Sequence, residues 1–209
     1  MKKFRCIGMI MILCAGLLAG CGESFTADEN TVYVGKNGKV LTVDVEAFEA
    51  DYYSEAELQD YIRAEVDAYT ETAGKNSVKL SKLTVENGIA KMEMSFKTVE
   101  DYTAFNGIEL YQGNTVNALA AGYRFDTDFT KVVDGAFAGS ATKDEIYEQD
   151  DLKVVVIKAN TNVQIDGEIQ YVSTENVTVT GTNTVSISDG SDEEDTSFET
   201  DVYTYIVYK

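Results

Sequence analysis

Three dipeptides, Asn37-Gly38, Asn87-Gly88 and Asp166-Gly167, narrow what this chain can become more than any other feature, because each stands between runs rich in β-branched or alternating apolar residues. Asn-Gly and Asp-Gly supply the positive φ angles of a tight turn, so each predicts an antiparallel hairpin. The first two hairpins are expected over residues 31–48 and 78–97. Leu41, Val43 and Val45 alternate with Thr42, Asp44 and Glu46, while Ala90, Met92, Met94 and Phe96 alternate with Lys91, Glu93 and Ser95. A period of two puts the apolar set on one face of a sheet, so Leu41, Val43 and Val45 are expected inside.

Helical signals lie between the hairpins. Ser54-Glu55-Ala56-Glu57 has the spacing of a capping box, with Tyr53 and Leu58 placed for a hydrophobic staple. Leu58, Tyr61, Ile62, Val66, Tyr69 and Ala73 follow as one stripe at helical spacing, and Gly74 is a natural stop. Thr98-Val99-Glu100-Asp101 opens a short helix with Tyr102 and Phe105 on its inner side, ended by Asn106-Gly107. A brief strand over 108–111 leads to Asn114-Thr115, which caps a third helix running to Ala121 and stopping at Gly122.

Residues 123–151 read as loops with one short helix. Beyond Leu152, valine, isoleucine and threonine dominate five short runs (154–158, 163–165, 168–173, 177–180 and 184–188), and a final strand over 202–208 carries Tyr203 and Tyr205 on one face. Asn162, Asn176 and Asn183 precede three of these runs, but their unequal spacing is not a repeat, so an antiparallel meander is expected. The fold class is therefore α+β: antiparallel sheets with one long and two short helices in the amino half, and an all-β meander in the carboxyl half. A subdomain boundary is expected near residue 151.

Residue types that are missing exclude much chemistry. The chain has no histidine and no tryptophan, and two of its three cysteines, Cys6 and Cys14, fall in its first 20 residues. A Ser-His-Asp triad and imidazole-based zinc sites are excluded, and disulfides, thiolate metal sites and cysteine nucleophiles drop out of everything after residue 21. The net charge of −19 repels nucleic acid and anionic lipid headgroups and suits cationic peptides or divalent metals. Acid block 189–196 is expected to be a mobile loop.

The amino terminus is organised differently from the rest. Lys2, Lys3 and Arg5 precede an uncharged apolar run from Ile7 to Leu18, closed by Leu18-Ala19-Gly20-Cys21. That is the layout of a secretory signal peptide, and about a dozen apolar residues is too short for the roughly 20 of a spanning helix. The Leu-Ala-Gly-Cys tetrapeptide after such a run resembles the lipobox of bacterial lipoproteins. The resemblance implies cleavage before Cys21, with Leu18, Ala19 and Gly20 as recognition residues, and a diacylglyceryl group on the Cys21 thiol. Two acyl chains give stable membrane anchoring where one is marginal. The expected organisation is a signal peptide over 1–20, an acidic tether over 21–31 and an extracytoplasmic domain over 32–209, located at the cell membrane.

Inside that domain, four groups of residues are candidates for chemistry or recognition. Ser140-Ala141-Thr142-Lys143 fits the S-x-x-K pattern of serine penicillin-binding enzymes, but the S-D-N and K-T-G companions are absent, so chance is the better explanation. Asp126, Asp128 and Asp134, and the acids from 189 to 195, are candidate calcium ligands, although neither set follows the D-x-D-x-D-G spacing. Tyr52, Tyr111, Tyr203 and Tyr205 are candidates for a recognition surface. No catalytic residue and no cofactor are assigned. The favoured expectation is a non-catalytic binding or structural lipoprotein for an envelope protein, peptide or glycan. The alternatives are an envelope hydrolase working through carboxylates alone, and a solute-binding or calcium-dependent surface protein.

Overall fold

In the computed structural model, residues 25–50, 52–188 and 200–209 are described. The signal segment, Leu18, Ala19, Gly20, Cys21 and the acid block 189–196 lie outside the described residues. In chain order the elements are β1 (Thr31–Val34), β2 (Val40–Ala47), α1 (Glu55–Ala73), β3 (Val78–Glu86), β4 (Ile89–Phe96), α2 (Val99–Asn106), β5 (Leu110–Asn114), α3 (Thr115–Ala120), β6 (Phe129–Val133), β7 (Ala136–Ala141), α4 (Lys143–Tyr147), β8 (Lys153–Ile157), β9 (Asn162–Ile165), β10 (Ile169–Ser173), β11 (Val177–Val179), β12 (Thr184–Ile187) and β13 (Thr204–Tyr208). The protein is mixed α+β and mostly β. Among the described residues, no helix is long and apolar enough to cross a membrane.

Local chemistry sets the helix ends. The side chains of Ser54, Thr98, Asn114 and Thr142 accept hydrogen bonds from the third residue beyond each, satisfying an amide that the helix itself leaves unpaired. Gly107, at φ +73°, closes α2 in the left-handed conformation that glycine adopts without steric cost. Besides the two short helices α2 and α3, a third, α4, stands where one short helix is expected within 123–151, capped by Thr142.

The strands form a seven-stranded sheet, β11-β12-β9-β1-β2-β4-β3, and a six-stranded sheet, β5-β8-β13-β10-β6-β7. Among the described residues, the carboxyl part has only strands beyond residue 147, but it is not a meander. Strands β9, β11 and β12 join the first sheet while β8, β10 and β13 join the second, and β9 pairs with β1 in parallel. Both sheets draw strands from either side of residue 151. Segment 123–151 is also richer than loops with one helix, since Asp134 (φ +50°) and Gly135 (φ +75°) close a hairpin between β6 and β7.

The Asp166-Gly167 signal has another meaning. Strands β9 and β10 belong to different sheets, so this dipeptide is a crossover and not a hairpin turn. Gly167 is required by crowding: a Cβ there would lie 2.3 Å from the Lys209 carbonyl oxygen and 2.5 Å from the Tyr208 ring. Nearby, Gln112 ties the sheets together by donating to the Gly35 carbonyl (2.9 Å) and to the Tyr208 hydroxyl (2.7 Å).

Two cores result. The larger lies between the sheets and includes Val34, Val40, Phe96, Val155, Ile157, Val163, Ile165, Ile206 and Tyr208, with Leu58, Ile62, Val66 and Tyr69 of α1 covering its flank. The smaller lies on the other face of the six-stranded sheet, under α3 and α4, and includes Phe125, Phe129, Ile146, Val154, Val156, Tyr205 and Val207. Strands β8 and β13 feed alternate residues into each, which is why Val-Val-Val-Ile and Tyr-Ile-Val-Tyr are nearly unbroken apolar runs. Full burial of each such side chain contributes about 1.5–3 kcal/mol. Tyr61 departs from the expected stripe of α1 and is 65% exposed.

Strand β2 faces the opposite way from its alternation. Val40 pairs with Phe96, Thr42 with Met94 and Asp44 with Met92, and those partners belong to or pack against the inter-sheet core. Val40, Thr42 and Asp44 therefore point inward, while Leu41, Val43 and Val45 point out. The outer face is covered instead by residues 25–30. Phe25 stacks on Tyr33 at 5.4 Å, Lys91 donates to the Ala27 carbonyl, and Asn30 Oδ1 accepts from the Val45 amide at 2.6 Å. From Phe25 onward, the segment expected to be tether is thus bound to the sheet. Burial holds the Asp44 carboxyl up at about 6, against its Thr42 hydrogen bond, which lowers it, while Glu46 raises it further.

Candidate functional site

A groove of about 550 Å³ opens over the smaller core, between the end of α3, the start of β13 and the segment before β5. Its shape begins at Gly122 (φ +105°), where the chain leaves α3, and at Phe125, a wholly buried residue held at φ +54°. A bulky side chain in the left-handed region costs about 1–3 kcal/mol and persists only where its surroundings enforce it. The surroundings here are the rings of Tyr205 at 4.8 Å, Tyr147 at 5.4 Å and Phe129 at 5.9 Å. With Phe125 turned inward, Tyr123, Arg124 and Asp126 line the groove.

Glu109 organises the aromatic wall. One carboxylate oxygen accepts from the Tyr123 hydroxyl at 2.9 Å and the other from the Tyr203 hydroxyl at 2.7 Å. The two rings meet edge to face, with centroids 5.8 Å apart, and Tyr111 backs Tyr123 at 5.0 Å. Burial, then the Glu109 bond, pushes the Tyr123 phenol above its ordinary value; for Tyr203 the Glu109 bond comes first and burial second. Both phenols stay protonated and donate, so the rings are fixed with their apolar surface available. Lys158 places its ammonium 5.8 Å from the Tyr203 ring centre and 3.5 Å from Asp201. The Tyr203 ring thus already takes a cation on its face.

The rim is acidic, with Glu109, Asp126, Glu175 and Asp201 against Arg124. Asp126 accepts from Lys143 at 2.6 Å, and that hydrogen bond and charge hold its carboxyl below the usual carboxylate range.

Three of the four tyrosines singled out in the sequence, Tyr111, Tyr203 and Tyr205, converge here; Tyr52, 80% exposed, meets Tyr53 edge to face elsewhere. Sequence reasoning missed Glu109, Tyr123 and Phe125. The alternation Tyr123-Arg124-Phe125-Asp126 after a glycine stop was the available signal, but no local feature announces the positive φ of Phe125.

Of the calcium candidates, Asp126, Asp128 and Asp134 do not come together, and the acids from 189 to 195 lie outside the described residues. Asp126 is engaged by Lys143, the Asp128 carbonyl accepts from the Thr174 amide at 3.0 Å, and Asp134 sits in the β6–β7 turn. Among the described residues, no group of three or more His, Cys, Asp or Glu side chains is arranged to hold a metal ion. Ser140 is exposed on β7, and its S-x-x-K partner Lys143 is held above its ordinary pKa by Asp126. Lys143 is therefore an ammonium and not the free amine that a base requires.

Comparison of the chain with known protein families, with curated proteins and with solved structures finds no match.

Proposed function

We propose that this chain is an extracytoplasmic lipoprotein, anchored in the cell membrane through lipid on Cys21, whose folded part is a non-catalytic module that binds a basic peptide segment of another envelope protein. The observation that carries the binding role is the Glu109 clamp, which fixes Tyr123 and Tyr203 as an aromatic wall beside an acidic rim. Lys158 over Tyr203 is an internal example of the contact that a lysine or arginine from a partner would make, and a net charge of −19 favours such a partner. Anchoring is supported by the leader motif. Because the chain is bound to the sheet from Phe25 onward, the span from Cys21 to Phe25 reaches at most ~14 Å, and the domain sits close to the bilayer.

Two measurements test this reading. Labelled palmitate should enter the wild-type protein in cells and be absent from Cys21→Ser; label retained in the variant refutes the anchor. Oligolysine titrated calorimetrically should bind the wild type and bind Tyr203→Ala about tenfold more weakly, a loss of about 1.4 kcal/mol. Equal binding removes the groove from the account, and binding of a neutral oligosaccharide without oligolysine replaces the peptide with a glycan.

A further inference from the structure

Four strands end the two sheets, and three of them are protected against pairing with another chain. Strand β11 has three residues. Strand β3 carries Lys79 and Lys82 around a register shift and has α1 packed on it. Strand β5 is flanked by α2 and α3.

Strand β7 is different. Its sequence, Ala136-Phe137-Ala138-Gly139-Ser140-Ala141, has no charge and no proline, and it is exposed from Ala136 through Ser140. Among the described residues, no strand pairs with its outer side. A register shift between Thr130 and Val132, near Gly139 at φ +114°, interrupts its pairing with β6. Phe137 (53% exposed) shares a face with its partner Val132, Val133 (57% exposed) lies on the other face with Ala136, and the remaining side chains of β7 are small. An edge strand directs alternate amides and carbonyls outward, and small side chains leave space for large ones on an incoming neighbour.

We propose that β7 receives an extended, basic segment of a partner protein as a seventh strand of the six-stranded sheet. Charge selects this occupant over a second copy of the chain. Asp134 precedes β7 and Asp144 follows it, and neither joins an ion pair among the described residues. The cations nearby are already engaged, Lys131 by Glu145 at 2.8 Å and Lys143 by Asp126 at 2.6 Å. Two copies joined edge to edge would bring their acids together at a net charge of −19 each, whereas lysines flanking an added strand would offset them. This surface is separate from the tyrosine groove and does not depend on it.

Amide hydrogen exchange on the whole purified protein tests the assignment, with a short synthetic peptide alternating valine and lysine as probe. The peptide is expected to slow exchange of the amides in 136–141 by about tenfold or more, and a valine–glutamate counterpart to do so at least about tenfold less at equal concentration. Ala138→Lys, at an exposed position, should abolish the protection with unchanged circular dichroism, Ala138→Ser should keep it, and Tyr203→Ala should leave it unaltered. Protection absent from 136–141, equal for the two peptides, insensitive to Ala138→Lys or lost in Tyr203→Ala overturns the proposal. Protection of 136–141 that rises with protein concentration alone assigns the edge to a second copy and overturns it as well.

Discussion

Replacing Asp44 with asparagine should stabilise this protein at neutral pH and do little at acid pH. Asp44 sits on the inward face of β2, opposite Met92, and among the described residues it has one side-chain donor, Thr42 Oγ1, at 3.0 Å. Burial raises its carboxyl from 3.8 to about 6. A folded state that holds the proton more tightly than the unfolded chain draws stability from it fully below pH 3.8, and loses that stability as pH rises towards 6. Above 6 the loss is complete. At about 1.4 kcal/mol per pH unit, ionised Asp44 costs about 3 kcal/mol, an upper figure because the side chain keeps some contact with water. Asparagine can still accept from Thr42 and never ionises. Urea unfolding of wild type and Asp44→Asn at pH 3.5 and pH 7 should give near-equal stabilities at the lower pH, with the variant ahead by up to about 3 kcal/mol at the higher. A variant advantage identical at both pH values, or a variant less stable at pH 7, refutes the argument that an ionised carboxylate is confined on the core face.

Other substitutions test the remaining links. Gly167→Ala should cost about 1–3 kcal/mol in denaturant unfolding, since its methyl group meets the Lys209 carbonyl and the Tyr208 ring in a well-packed crossing; a neutral effect would mean the two chains are not that close. Ile62→Ala should cost about 2–5 kcal/mol while Tyr61→Ala stays within about 0.5 kcal/mol, a contrast that the stripe expected for α1 would not produce. Glu109→Gln should let the Tyr203 phenol ionise at lower pH than in the wild type, because its largest upward influence is the Glu109 bond; NMR titration of ring-labelled tyrosine reads the direction, and an unmoved Tyr203 contradicts the clamp.

Much of the secondary structure was legible because its signals are local. The caps at Ser54, Thr98 and Asn114 act on an amide three residues away, and Asn87-Gly88 turns β3 into β4 with both residues at positive φ. The hairpin at Asp134-Gly135 carried the same kind of signal, but it was obscured by the small residues of β7, which have low strand propensity. At the groove, the tyrosines were visible as aromatic residues. Glu109 was not, since its partners Tyr123 and Tyr203 are distant in sequence and a lone carboxylate among 36 acids carries no mark.

The amino-acid order by itself determined where helices begin and stop, which runs extend, and that residues 1–21 follow a different plan from the rest. Tertiary structure alone decided which face of β2 is inside. Alternation specifies two faces, but the side that becomes core depends on what covers each, and here residues 25–30 lie over the face that carries Leu41, Val43 and Val45, leaving Asp44 on the core face opposite Met92. It also decided that Asp166-Gly167 crosses between sheets, because a strand's partner is chosen by hydrogen bonding to distant segments, here Val34 and Lys209, that the dipeptide does not encode.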